Sequence, residues 1–249
     1  MQLQDKIAVI TGATSGIGKA VALRFMQEGA IVAGVARRKE MLESMAGQSF
    51  RPYAADLSVE SQSTDCIRQI ISELPGIDIL VHAAGIIGSG NIENTTLSDW
   101  DVMMNINLRS VFHLTQLAMP SLIERKGNVV SISSVAGLRS FPGVLSYCVS
   151  KAGLDQFTRC VALEMAPKGV RVNAVNPGVV VTQLHRSGGM NEDQYQAFLQ
   201  RSETTHPLGR VGTAEEIAEI VLFLASDRAS WITGVTMSID GGRALTCAR

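Results

Sequence analysis

Short runs rich in Val, Ile and Ala recur along the chain and alternate with longer stretches of helical periodicity. KIAVITG (6–12), AIVAGVA (30–36), IDILVHAAG (77–85), GNVVSISS (127–134), VRVNAVNPG (170–178) and GVTMSIDGG (234–242) read as strands, with a weaker one around Tyr53 to Ala55. Between them fall helices near 17–28 (closed by Gly29), 38–46, 58–73, 97–118, 146–166 and 214–225. Strands apolar on both faces need cover on both sides, and strand–helix–strand alternation gives a parallel sheet. The expected fold class is therefore α/β: one doubly wound parallel sheet of about seven strands, with helices on both faces.

The chain has 249 residues, 46% of them apolar and 18% charged, with a formal net charge of −1. That composition suits one well-buried domain over 1–249 and argues against disorder. Bulk charge gives no reason to expect nucleic acid or an anionic membrane as partner. No run of 18 apolar residues and no leader-like N-terminus is present, which points to the cytoplasm. Cys66, Cys148, Cys160 and Cys247 are scattered without a CxxC pair and read as reduced thiols, with no metal site.

In a doubly wound sheet, ligands sit at the carboxyl ends of the strands. The unusual residues cluster there: Gly12 to Gly18, Ala36 to Arg38, Asp56, the 82–85 turn, Ser134, and Asn176 to Thr182. TGATSGIG (11–18) joins the first strand to the first helix. Its glycines let the backbone turn sharply and approach a ligand, while the helix start offers free N–H groups to an anion. SYCVSKAG (146–153) places Tyr147 and Lys151 on one helix face. A tyrosine with a pKa near 10 is a weak acid at neutral pH. A lysine cation about 4 Å away is worth up to about 4 kcal/mol at an effective dielectric near 20, so the pair predicts a phenol pKa lowered by as much as about three units.

These motifs together, with a form of N-x-A-G at 82–85, Ser134 thirteen residues before Tyr147, and N-P-G at 176–178, resemble the short-chain dehydrogenase/reductase family. The resemblance runs from Lys6 to about Gly242 and implies a single-domain Rossmann-type fold. It further implies a homotetramer and NADP(H)-dependent, reversible reduction of a carbonyl. Tyr147 would donate the proton, Lys151 would tune it and hold the nicotinamide ribose, and Ser134 would donate to the substrate oxygen. Asn107 would hold a relaying water; Asn105 is its rival. Cofactor contacts are expected from Gly12, Thr14, Ser15, Gly16, Ile17, Gly18, Asp56, Leu57, Ala83, Ala84, Gly85, Pro177, Gly178, Val180 and Thr182. Where NAD-preferring relatives carry an acidic residue, this chain has Ala36 followed by Arg37 and Arg38. A guanidinium suits a 2′-phosphate, so NADP(H) is the expected cofactor. His82 replaces the usual first asparagine of the 82–85 motif and is expected to be structural.

Residues 183–212, with Gly188-Gly189 as a hinge and an amphipathic segment at 191–200, are expected to form a substrate lid; a static surface excursion is the alternative. Leu138, Phe141, Val144, Leu184, His185 and Phe198 could line an apolar pocket. The ending HPLGRVG…SIDGG is similar to the 3-oxoacyl-carrier-protein reductases, which makes an acyl carrier protein or acyl-CoA a candidate partner and Arg125, Lys126 and Lys168 candidate docking residues. Steroid or xenobiotic carbonyls are the alternative substrates, and a non-catalytic NADP(H) sensor is the alternative of another class. The last segment, 245–249, could reach a neighbouring subunit.

Overall fold

The computed structural model describes residues 1–246; Cys247 to Arg249, the end of the segment expected to reach a neighbour, lie outside the described residues. The elements run β1 (Ile7–Thr11), α1 (Gly16–Gln27), β2 (Ile31–Ala36), α2 (Lys39–Glu43), β3 (Phe50–Ala54), α3 (Glu60–Glu73) and β4 (Ile79–His82). They continue with α4 (Leu97–Met104), a π turn (Asn105–Arg109), α5 (Ser110–Arg125), β5 (Asn128–Ile132), α6 (Val135–Leu138), α7 (Leu145–Met165) and β6 (Arg171–Pro177). The last are α8 (Leu184–Ser187), α9 (Glu192–Thr205), α10 (Ala214–Ala225) and β7 (Thr236–Ile239). Seven strands form one sheet in the order β3-β2-β1-β4-β5-β6-β7. Every pairing is parallel. The strand order reverses between β1 and β4, which opens a crevice at their carboxyl ends.

Side-chain alternation divides the strands between two cores. Ala8, Ile10, Val32, Ile79, Val81 and Val130 face the layer of α1 and α10, where Val21, Phe25, Ile217 and Val221 pack. Val9, Ala33, Val35, Leu80, Val129 and Val172 face the other layer, with Ile67, Ile70, Leu114 and Leu122 from α3 and α5. The inner strands β1, β2, β4, β5 and β6 are therefore buried on both faces, which is why the sequence shows continuous apolar runs there, while the edge strand β3 exposes Arg51 and Pro52 and reads more weakly.

One polar knot ties the sheet together. Asp78 is buried; its carboxylate accepts from the Ile7 N–H at 2.9 Å and from Arg125 at 3.1 and 3.2 Å, with Lys6 at 3.7 Å. Arg125, expected as a carrier-docking residue, is committed to this carboxylate. Asp78→Ala leaves a buried donor and a guanidinium without their partner. It should lower unfolding free energy by about 3 kcal/mol, read as a lower denaturant midpoint at unchanged slope.

The helix expected to end near residue 118 runs on to Arg125 through Pro120, which gives up one helical hydrogen bond. The free cysteines among the described residues are Cys66, Cys148 and Cys160. No helix among the described residues is long and apolar enough to cross a membrane, and no metal-holding cluster of His, Cys, Asp or Glu occurs among them.

Candidate active site

The crevice between β1 and β4 opens into a cleft of about 870 Å³. The 11–18 loop forms its floor. Gly12 has φ +69°, and a Cβ there would lie 3.0 Å from the Ala83 carbonyl oxygen, so the loop passes tightly under the 83–85 turn. A Cβ at Gly18 would lie within 3 Å of the Gly12 carbonyl, which fixes the helix against the strand end. The Thr11 hydroxyl locks the two segments by accepting from Ala83 and Ala84 N–H, both at 3.0 Å. No glycine or charge marked Thr11 in the sequence. Ser15 precedes α1 with its side chain making no capping bond. The first-turn N–H groups of α1 are left to face the cleft, where Thr14, Ser15, Gly16 and Ile17 line the wall.

The second and third strand ends supply the next wall. Ala36, Arg37, Arg38, Asp56 and Leu57 all line the cleft. Arg38 donates to the Thr14 hydroxyl at 3.2 Å, so its guanidinium is already anchored over the glycine loop. Asp56 accepts from the Ser58 N–H at 3.0 Å and hydroxyl at 2.7 Å. Those bonds, and the Arg37 cation, hold its carboxyl below the usual range. Asp56 thereby closes a turn at Ser58, ahead of α3, which starts at Glu60.

The third wall holds Ser134, Tyr147 and Lys151, all at least nine-tenths buried. Ser134 follows β5 and caps α6, its hydroxyl accepting from the Ala136 N–H at 3.1 Å. Ser133 points away, its hydroxyl donating to the Lys151 carbonyl at 3.3 Å. Tyr147 and Lys151 lie one turn apart on α7. Lys151 Nζ donates to the Ile132 carbonyl at 2.8 Å and sits 5.8 Å from the Tyr147 ring centre.

The expected lowering of the phenol pKa is not what the structure gives. Burial pushes the Tyr147 phenol above its ordinary value, and the Ser134 hydroxyl offsets part of that rise. The lysine is itself desolvated. Burial lowers it to about 8, against an opposing pull from Asp155. Both groups share low-dielectric surroundings, in which burial outweighs the attraction between cation and phenolate.

Asn107, rather than Asn105, is the buried asparagine beside this wall. Its Oδ1 accepts from the Ile86 N–H at 2.9 Å, and its Nδ2 donates to the Ile86 carbonyl at 2.9 Å and Ser150 hydroxyl at 3.1 Å. Asn105 instead donates to the Ser58 carbonyl at 3.0 Å. Asn107 sits in the π turn between α4 and α5, a local widening that a helix-period sequence pattern does not reveal. A Cβ at Gly85 would lie 3.3 Å from Asn107 Oδ1 and 3.8 Å from Lys151 Nζ, so both polar groups close on the bare backbone of that turn. His82 does not line the cleft. It is buried against the Thr115 hydroxyl at 2.9 Å, and burial lowers its pKa to about 3, which keeps it neutral.

Pro177, Gly178, Val180 and Thr182 line the cleft after β6. This segment is held by a residue the sequence did not single out. His206, buried after α9, accepts from the Val179 N–H at 3.1 Å through Nε2, while Nδ1 bonds the Ser202 carbonyl at 2.6 Å. The Nδ1–H tautomer satisfies both bonds. Nothing in HPLG distinguishes such a brace from a surface histidine.

Residues 183–212 fold into two helices, longer and better organised than the expected amphipathic stretch. Asn191 and Gln194 form a capping box for α9. Tyr195 is fully buried and donates to the Thr182 carbonyl at 3.1 Å. Arg186 stacks on its ring at 3.8 Å and binds Glu192 at 2.8 and 2.9 Å. Phe141 and Val144 line the cleft, as do Leu184 and His185 of α8 and Phe198 of α9. Leu138 does not; it is two-fifths exposed on α6. Met190, Thr205 and Arg243 line it without having been anticipated.

The same architecture occurs in known proteins. A family model described as enoyl-(acyl carrier protein) reductase matches residues 12–244. A 3-oxoacyl-acyl-carrier-protein reductase of Thermotoga maritima is 39% identical over 249 residues, covering 97% of this chain and 99% of its own. A 2-(S)-hydroxypropyl-CoM dehydrogenase of Xanthobacter autotrophicus is 34% identical, covering 97% of each chain. A Caenorhabditis elegans short-chain dehydrogenase/reductase of unknown function, solved with cofactor, superposes at TM-score 0.93 with 32% identity, covering 100% of this chain and 98% of that one.

Proposed function

The chain belongs to the short-chain dehydrogenase/reductase family of nicotinamide-dependent oxidoreductases, and from that premise we propose that it reduces a ketone to a secondary alcohol with NADPH. The observation that carries this reading is the wall of Ser134, Tyr147 and Lys151, buried along the same cleft as the glycine loop. The cradle fits a dinucleotide. Gly12 and Gly85 leave the backbone bare where a side chain would intrude, and the uncapped start of α1 offers N–H groups to a phosphate.

Gly12, Thr14, Ser15, Gly16 and Ile17 would hold the pyrophosphate, with Gly18 packing the loop beneath it. Arg37 and Arg38 would hold the 2′-phosphate, and Asp56 with the Leu57 N–H the adenine. Ala83, Ala84, Gly85, Pro177, Gly178, Val180 and Thr182 would hold the nicotinamide end, with Lys151 on its ribose. The nicotinamide, when bound, supplies the hydride. Ser134 donates a hydrogen bond to the ketone oxygen, where charge develops in the transition state. Tyr147 gives that oxygen its proton, and its raised pKa keeps it in the donor form. Asn107 braces the turn at Ile86 beside Lys151, and the free lone pair of its Oδ1 is the place for a water relaying protons to Lys151.

The lysine gives this reading a pH signature. Lys151 carries its charge below about pH 8 and loses it above. The cation favours electron density building on the Tyr147 oxygen as the proton leaves, so kcat/KM for reduction should fall as pH rises through about 8. A profile at constant ionic strength that stays level to pH 10 would remove Lys151 from this role.

The two helices over the apolar end, α8 and α9, are proposed as the substrate lid, anchored by Tyr195 and turning at Gly189 (φ +103°). A homotetramer is supported by Phe112, Val149 and Leu163, which leave apolar surface exposed on α5 and α7. Among substrates, a medium-sized apolar ketone or a 3-oxoacyl thioester fits the cleft lining, and an acyl carrier protein or acyl-CoA remains the proposed partner for the latter.

A further inference from the structure

The apolar end of the cleft closes on a cation, Arg243, that forms no ion pair among the described residues, the carboxylate of the nearby Asp240 being taken up by the Gly242 and Ala244 N–H groups. Arg243 lines the cleft together with Phe141, Phe198 and Thr205. It is half-buried just after β7, donates to the Thr205 carbonyl at 3.2 Å, and lies 5.3 Å from the Phe141 ring centre. Two further guanidiniums, Arg139 and Arg201, stand close enough to lower its pKa, burial being the larger cause. Arg139 is turned onto the backbone, donating to the carbonyls of Arg243, Ala244 and Thr246. Arg201 lies exposed on α9.

Six other guanidiniums, those of Arg24, Arg68, Arg109, Arg125, Arg186 and Arg210, each bind a carboxylate, whereas Arg51, Arg159 and Arg171 are spent on backbone or amide oxygens away from the cleft. Among the described residues, no carboxylate forms an ion pair with Arg139, Arg201 or Arg243. Gathering three like charges at a partly desolvated rim is unfavourable unless something negative joins them. His185, also lining the cleft, is kept toward its neutral form by burial and adds no competing charge when unprotonated.

We infer that the substrate carries an anionic oxygen group, bound by Arg243 at the end of an apolar channel whose other end is the Ser134–Tyr147 wall. This rests on the ketone-reductase reading and narrows its substrate class to acidic ketones. The anion is either a carboxylate on a small ketone or a phosphate on a thioester carrier arm; both present the same oxygens to a guanidinium.

The test uses matched pairs with the NADPH-loaded enzyme. One pair is 7-oxooctanoate and its methyl ester; the other is acetoacetyl phosphopantetheine and acetoacetyl pantetheine. The wild type should prefer the charged member of one pair by about tenfold or more in kcat/KM, and Arg243→Gln should erase that preference. The pair that loses its preference names the source of the anion. Arg201→Gln, at an exposed position, should lower the same ratio by about twofold and covers the case in which Arg243→Gln does not fold. No preference in either pair, or a preference that survives Arg243→Gln, overturns the inference. If no ketone is reduced, the reductase reading fails on its own. Calorimetric binding of octanoate to the NADP-loaded protein then still decides the subsite. Weaker binding to Arg243→Gln supports it, and equal binding overturns it.

Discussion

Tyr147→Phe is expected to fold and bind cofactor as the wild type does while losing about a thousandfold in carbonyl reduction, the middle of the range for removal of a positioned general acid. The ring stays, so the packing of Tyr147 against Met103 and Ala136 is kept. Only the hydroxyl facing Ser134 is lost, and one hydrogen bond is worth about 1 kcal/mol of stability. The effect should fall on kcat more than on KM, because the proton moves in the transition state. Thermal unfolding and cofactor titration on the same preparation separate this outcome from a folding defect. Turnover within tenfold of wild type would remove Tyr147 as the donor.

Arg37→Asp should change the cofactor rather than the chemistry. The guanidinium's charge-assisted bonds to a 2′-phosphate are worth about 1.5–3 kcal/mol, and the new carboxylate both repels that phosphate and can accept from ribose hydroxyls. The ratio of NADPH to NADH affinity should fall by about a hundredfold or more. Arg38→Ala should do less to that ratio, because Arg38 is already engaged by Thr14. An affinity ratio left unchanged by Arg37→Asp would sink the NADP assignment.

How far the sequence could be read depended on where the deciding contacts came from. The inner strands were legible because each is buried on both faces, a pattern that parallel sheets demand; the half-exposed edge strand β3 left a weaker signal. The glycine loop was legible because its constraint is local: Gly12 and Gly18 are needed by a turn only a few residues long. Tyr147 and Lys151 were legible as a pair on α7, but their electrostatics were not. Burial comes from α4, α6, the 86–87 turn and the 141–144 loop together, and it reversed the expected direction for the phenol.

The residues that escaped notice are tied to partners far along the chain. Thr11 holds Ala83 and Ala84, His206 holds Val179, and Arg243 reaches Thr205 and Phe141. Each is an ordinary residue in its own segment and acquires a role only through the tertiary fold. The same holds for Arg125, which looked like an exposed docking cation and is drawn inward by Asp78. Asn107 is buried where Asn105 is not, yet the π turn that presents it has no local signal in the sequence.

Reduction of a ketone with NADPH in this cleft is open to direct measurement. Absorbance at 340 nm follows it directly, with purified protein, NADPH and a carbonyl panel of acetoacetyl thioesters, diketones, quinones and keto-steroids. The account predicts NADPH oxidation with at least one ketone, abolished by Tyr147→Phe and much slower with NADH. Tight NADPH binding with no oxidation by any member of the panel would contradict it and favour a protein that binds the dinucleotide without turning it over.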